Sequence, residues 1–317
     1  MKKLLICGGT GFIGRNCVEY FSKNTEFEIT ATYFKEVDYD PIANVKYVNV
    51  DLRDELQVKE IVKEQDIIIQ AAATTTGSKD VIERPYLHVT DNAVMNSWLF
   101  REAMLNKVEH LIFLSCTVMY QSKDEPQKES DWSIADEIYR NYFGVGKMKI
   151  FSEDMCDFYS RLGTTKFTAI RHSNVYGPHD KFDLDKCHVV PAFINKIINS
   201  ENTLDVWGDG LAKRDILFID DLVDMIEKVI NKQDTKYELF NCGAGKAYSI
   251  NELANVIMNV NNKKLTIKYD ESKPNIPTVV ILNCDKANNK LGWYPKTSIE
   301  NGMKITSEWY KKTYLNQ

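Results

Sequence analysis

The sequence predicts an α/β chain: a Rossmann-type, doubly wound parallel sheet with a smaller C-terminal α/β lid over it. Three observations predict this. A short apolar strand runs into a glycine loop and a helix within the first 22 residues. Strand-like and helix-like segments then alternate as far as residue 171. Beyond residue 175, prolines and turn residues loosen the pattern. Such alternation implies parallel strands joined by crossover helices that cover both faces of a sheet.

Residues 3–7 are the first strand, 8–14 the glycine loop and 12–22 the helix after it. β-Branched runs at 28–33 and 45–50 predict two further strands. A helix at 56–64, a strand at 66–72, a long helix at 90–106 and a strand at 110–115 continue the series. The charged stretch 122–132 lacks periodicity and reads as a loop, and 137–162 as a helix with an irregular start near Gly144 and Gly146. A strand follows at 167–171, then a turn at 207–210 and small helices at 220–230 and 250–260. The expected division is a dinucleotide-binding domain over 1–175, rejoined by 215–245, with most of 176–317 forming a substrate-side domain.

Composition narrows the function. The 317 residues are 44% hydrophobic and 27% charged, ordinary values for a globular chain. Forty basic against 45 acidic residues give a net charge of -5, with no basic block, which argues against nucleic acid as a partner. Cysteines 7, 17, 116, 156, 187, 242 and 284 form no CxxC pair, so reduced thiols, a cytoplasmic location and no metal site are expected. The first apolar run is too short for a signal peptide or a membrane span, and no membrane association is expected.

Gly8-Gly9-Thr10-Gly11-Phe12-Ile13-Gly14 is a GxxGxxG pattern between a strand and a helix. Glycines there permit a tight turn and close approach to a pyrophosphate, and the helix N-terminus presents free N–H groups to it. The second strand ends Thr32-Tyr33-Phe34-Lys35, without a carboxylate to hold an adenosine ribose. Lys35 is either a partner for a 2′-phosphate, which points to NADP, or a solvated surface lysine. Asp51 and Leu52 follow the third strand, toward the adenine, and Ala71, Ala72 and Ala73 leave room beside the fourth.

These residues and several downstream motifs resemble the extended short-chain dehydrogenase/reductase family. The similarity runs nearly end to end: GGTGFIG, Asp51-Leu52-Arg53, the alanines at 71–73, Asn92, the strand at 113–120, Arg171 through Pro178, Trp207-Gly208-Asp209-Gly210, Arg214-Asp215, Asp220-Asp221 and Leu291-Gly292-Trp293 with Pro295. The segments Gly177–Phe182 and Cys187–Ala192 are similar to the GDP-fucose synthase branch, which epimerises and reduces a 4-keto sugar nucleotide. The resemblance implies NADP (or NAD), held by Gly8, Thr10, Gly11, Phe12, Ile13, Gly14, Tyr33, Lys35, Asp51, Leu52, Ala71, Ala72, Ala73, Asn92 and Ser115. It implies nucleotide-sugar contacts at Asn174, His188, Val189, Trp207 and Arg214, an acid role for His188, and a homodimer built on helices 90–106 and 137–162.

The pattern breaks where the family places a tyrosine four residues before a lysine. One turn of helix puts both on one face, the ammonium lowers the phenol's pKa, and the phenol exchanges a proton with the sugar. Two registers fit here: Phe143 with Lys147, or Val145 with Lys149, the second agreeing better with Glu153 and Tyr159 downstream. Neither supplies a phenol, and Tyr142 is one residue from the first register's position. The family's hydroxyl position falls on Cys116, with Thr117 beside it, and its epimerase cysteine on Val118. Three readings follow. The chain is an epimerase and/or reductase, or a binder of dinucleotide and sugar nucleotide that is non-catalytic or trapped. It is a dehydratase on the third reading, which Thr117 and Val118 oppose by standing where dehydratases carry an acidic pair.

Overall fold

The computed structural model describes residues 1–35, 40–75, 78–185, 187–273 and 276–315. Strand β1 (Lys2–Cys7) leads through the glycine loop into helix α1 (Phe12–Phe21), then β2 (Phe27–Tyr33) and β3 (Val45–Asn49). Helix α2 (Glu55–Val62) starts on Asp54, whose carboxylate accepts from Leu56 and Gln57 N–H groups. There follow β4 (Ile67–Gln70), α3 (Ser78–Glu83), α4 (Thr90–Leu105), β5 (His110–Ser115), the two-residue β6 (Pro126–Gln127) and α5 (Phe143–Ser160). Then come β7 (Lys166–His172), β8 (Asn174–Tyr176), α6 (Val189–Asn199), β9 (Thr203–Trp207), β10 (Lys213–Phe218), α7 (Ile219–Lys232) and β11 (Tyr237–Cys242). The chain continues through β12 (Ala247–Ser249), α8 (Ile250–Val260), β13 (Thr266–Asp270), β14 (Ile281–Leu282), α9 (Asp285–Leu291) and α10 (Ile299–Tyr314).

The main sheet has seven parallel strands in the order β3-β2-β1-β4-β5-β7-β11. This is the doubly wound sheet read from the sequence. Its strands are apolar without alternation because helices cover both faces. Leu4 and Ile6 join the core under α1 and α7, while Leu5 and Cys7 join the core under α2, α4 and α5. The strand order reverses between β1 and β4, which opens a crevice at the carboxyl ends of these strands.

The second half builds a three-stranded sheet (β12-β10-β8), the pair β13-β9, and helices α6, α8 and α10 packed together. Its apolar residues are continuous with the core beneath α1 and α7. Strand β11 returns to the main sheet beside β7. No helix among the described residues is long and apolar enough to cross a membrane.

Several elements differ from the sequence expectation. The 122–132 stretch is not wholly loop, since β6 within it pairs with β14 from far along the chain. Short-range periodicity carries no trace of such a pairing. The strand expected over 66–72 ends at Gln70, leaving Ala71–Ala73 in the loop above the sheet. The helix expected from 137 is a 3-10 turn at Arg140–Tyr142 followed by α5 from Phe143. The glycines at 144 and 146 therefore lie inside the helix; a Cβ on Gly146 would sit 3.0 Å from the Ile138 side chain. Helix α10, started by the Ser298 hydroxyl, is a regular element absent from the expectation. Its Tyr310 and Tyr314 rings stack around Phe182, at centroid distances of 4.9 and 5.8 Å.

Candidate active site

The glycine loop is packed backbone on backbone. Gly8 has a φ of 74°, and a Cβ there would stand 2.8 Å from the Ala72 Cα. A Cβ on Gly14 would lie 2.1 Å from the Gly8 carbonyl oxygen, and one on Gly9 2.6 Å from the Ala31 Cβ. Gly11 starts α1 with no side-chain cap, and the first turn holds no acidic residue. The N–H groups around Phe12 and Ile13 thus face outward, as a pyrophosphate requires. Thr10 is half-buried within the same loop. These features fit a dinucleotide.

Around the loop the expected cofactor residues separate into two groups. Tyr33, half-buried, and Lys35, exposed, end β2 on the crevice side. Leu52 is buried, and the Asp51 carboxylate is gripped by Arg53 (Nε to Oδ1 2.9 Å, Nη2 to Oδ2 2.8 Å). That pairing holds the Asp51 carboxyl below its ordinary pKa. Asn92 acts on the backbone: its amide accepts from Thr74 N–H at 2.9 Å and donates to Thr74 and His88 carbonyls at 3.0 Å each, fixing the loop after Ala73. Ser115 is fully buried, with its hydroxyl donating to Glu153.

Glu153 anchors a buried chain that the sequence did not disclose. Arg171 pairs with it at 2.6 Å and donates to the Tyr120 hydroxyl at 2.9 Å, which donates in turn to Asn241 at 2.7 Å. An arginine inside the apolar strand 166–172 was the available signal, because a buried cation needs a partner. The chain ties α5 to β7 and β11.

That tie fixes the register of α5. Lys149, one turn before Glu153, runs into the crevice; its Nζ donates to the Leu114 carbonyl at 2.7 Å and lies 4.8 Å from the Phe113 ring centroid. Burial lowers its pKa, opposed by Cys116 and Glu153. Lys147 is exposed and lies over the Phe143 ring, itself 57% exposed. The Phe143–Lys147 register is therefore on the outside of the helix. Val145 occupies the position one turn before Lys149.

The substrate side is a pocket lined by Thr117, Val118, Tyr120, Tyr139, Tyr142, Asn174, Arg214, Thr278 and Val280. Tyr142 enters it from the N-cap of α5, a placement that the late start of the helix at Phe143 allows. Counted from Phe143 its offset is one residue; from Lys149 it is seven residues, close to two full turns. Among the described residues, Arg214 donates only to the carbonyls of Lys213, Thr278 and Ile276, at 2.7 to 2.9 Å. A guanidinium so placed has no carboxylate bonded to it among the described residues and suits a diphosphate. The Asn174 amide donates to the Asp215 carbonyl at 3.1 Å. Cys116, beyond the end of β5, has its thiol pKa raised by burial, with Lys149 pulling it back down.

His188 is the N-cap of α6, exposed as a residue, with Val189 half-buried after it. Although the residue as a whole is exposed, desolvation of its ring, then Lys181 and His88, lower the imidazole pKa. His172, which sequence reasoning passed over, joins this group: burial first, then Lys149 and His188, push it down to about 4, opposed by its bond to the Ser173 carbonyl. Asp180, on the loop leading to His188, is buried with Oδ2 lacking a hydrogen-bond partner, and burial pushes it up to about 7. On the same loop His179 lies 2.9 Å from Glu19 of α1 and its ring packs on Trp309. Trp207 stands apart from the pocket residues, on β9 beneath Lys196. No cluster of His, Cys, Asp or Glu among the described residues is arranged to hold a metal.

A sequence model described as the NAD dependent epimerase/dehydratase family matches residues 4–243. GDP-L-colitose synthase of Yersinia pseudotuberculosis is 27% identical over 313 residues, 97% of each chain. GDP-L-fucose synthase of Azorhizobium caulinodans is 28% identical over 321 residues, covering 98% of this chain and 96% of its own. Among solved structures, UDP-glucose 4-epimerase of Thermotoga maritima with UDP-glucose superposes with a TM-score of 0.86 at 25% identity, over 98% of this chain and 99% of that one.

Proposed function

Because the chain belongs to the NAD dependent epimerase/dehydratase family, we propose that it is an NAD(P)-dependent epimerase and/or reductase of a nucleotide-activated 4-keto sugar. The observation that carries this is one pocket holding Tyr142, Asn174 and Arg214, next to Cys116 and Lys149 at the mouth of the dinucleotide crevice. Arg214 binds the substrate diphosphate and Asn174 the sugar-nucleotide body. Lys149 holds the nicotinamide ribose. The nicotinamide, when bound, takes up or supplies a hydride. His188 moves a proton at the carbon beside the ketone, and its lowered pKa keeps it neutral, hence basic, near pH 7. The exposed Lys35, and the absence of a carboxylate among the described residues at the tip of β2, favour NADP. Exposed Phe151 and Phe158 on α5 and Leu105 on α4 support a homodimer through these helices. A cytoplasmic location accords with seven free cysteines.

Val145 favours a second reading, a binder of dinucleotide and sugar nucleotide without turnover. Incubation with 4-keto-6-deoxy sugar nucleotides in deuterated water, with and without NADPH, separates the two. Deuterium entering the sugar means epimerisation, and loss of nicotinamide absorbance means reduction. Neither change, across GDP-, CDP-, UDP- and dTDP-sugars, sinks the enzymatic reading.

A further inference from the structure

We propose that Tyr142 supplies the phenolic proton that Val145 cannot, so that this active site draws its acid from the turn before α5 rather than from the helix's first full turn. The proposal rests on the enzymatic reading above and names a residue within that site.

Position 145 is settled by its neighbours. Lys149 is fixed in the crevice by the Leu114 carbonyl, and Val145 lies one turn before it with no proton to give. The residue one turn earlier again is Tyr142. As the N-cap, its Cα still lies on the helical cylinder, and seven residues at about 100° each return it to within about 20° of the Lys149 face. The 3-10 turn holds it there, with Tyr142 N–H donating to the Tyr139 carbonyl at 2.7 Å.

Its surroundings fit the role. Tyr142 lines the pocket with Thr117, Asn174 and Arg214, and its hydroxyl makes no hydrogen bond to any described residue. A partly buried phenol left without a partner is suited to a ligand oxygen. Cys116 interacts electrostatically with both Lys149 and Tyr142, so it is near both the helix lysine and the phenol. Arg214 is the cation nearest in effect to the phenol and favours its ionised form, while burial favours the neutral one. A phenol in that balance is a proton donor before it is a base.

The step is a transfer at the sugar oxygen. A nicotinamide bound in the crevice would supply the hydride to the carbonyl carbon, and the electron pair of the broken C=O π bond would then rest on the sugar oxygen that Tyr142 serves. The Tyr142 O–H bond breaks, an O–H bond forms on the sugar, and the phenolate is held beside Arg214 until water reprotonates it.

The test compares Tyr142→Phe, Val145→Tyr and the double variant. Tyr142→Phe is expected to lower kcat on the order of 100-fold with KM changed by less than about threefold, and to remove the alkaline limb of the pH profile. Val145→Tyr placed on Tyr142→Phe should restore at least about a tenth of the lost rate. A Tyr142→Phe enzyme within about twofold of the parent kcat overturns the proposal. A second readout does not need turnover. In protein labelled with 13Cζ-tyrosine, the resonance missing from Tyr142→Phe should shift when a sugar nucleotide binds. A resonance unmoved at saturation overturns the proposal, whereas a shift in a protein that turns over nothing upholds the contact and sinks only the enzymatic reading.

Discussion

The glycine loop at residues 8–14 and the start of α5 at residues 139–149 both face the same crevice, yet they are built in opposite ways. In the loop the backbone is the site. The Gly14 position stands 2.1 Å from a carbonyl if given a Cβ, so only glycine fits, and spacing alone announces the function. At α5 the backbone is ordinary helix and the side chains are the site. Two lysines two residues apart point in different directions, and spacing alone leaves two registers standing. A backbone-made site is written in one pattern; a side-chain-made site is written only once its helix has been oriented.

The comparison breaks most sharply if the two lysines prove equivalent. Lys149→Met is expected to cut kcat/KM on the order of 1000-fold and Lys147→Met by less than about twofold, measured in steady state on the same substrate. Next in size is the support behind α5. Glu153→Gln leaves Arg171 charged and buried, and should cost about 3 kcal/mol in urea-induced unfolding. A loss below about 1 kcal/mol would mean that the buried chain does not set the register. On the loop side, Gly14→Ala should weaken NAD(P) roughly 30-fold by calorimetry while leaving sugar-nucleotide affinity unchanged. Loss of both affinities would show that the two halves of the crevice are not separable.

The smallest effect concerns Asp180. Burial raises its folded-state pKa from 3.8 to about 7. Between those values the folded chain holds a proton that the unfolded chain has released. Stability is therefore full below pH 4 and falls as pH rises through 7. Asp180→Asn should flatten that slope, read from unfolding midpoints at pH 5 and pH 8. An unchanged slope would place the proton elsewhere.

The sheet was legible because its strands are short apolar runs separated by crossover helices, and a glycine loop marks the first crossover. The family motifs gave Arg214 and Asn174 as substrate-side residues, and both line the pocket. Tyr142 was legible only as a candidate one residue off the Phe143 register, because its place two turns before Lys149 shows once that lysine is located in the crevice. Ser115 and Asn92 were assigned to the cofactor from their position in motifs, whereas their polar groups are committed to Glu153 and to the Thr74 backbone. His172 and Asp180 left no local trace, since their environment is assembled from segments far apart in sequence. The same is true of β6, whose partner strand lies more than 150 residues away.

Phe182 has a practical consequence for handling the protein. It sits on the loop that leads into His188 and is wrapped by Trp309, Tyr310 and Tyr314 from α10. A bead, dye or sensor chip coupled through that helix would grip the same loop that carries His188. Attachment through the exposed face of α2, on the far side of the sheet from α10, would leave the loop its native freedom.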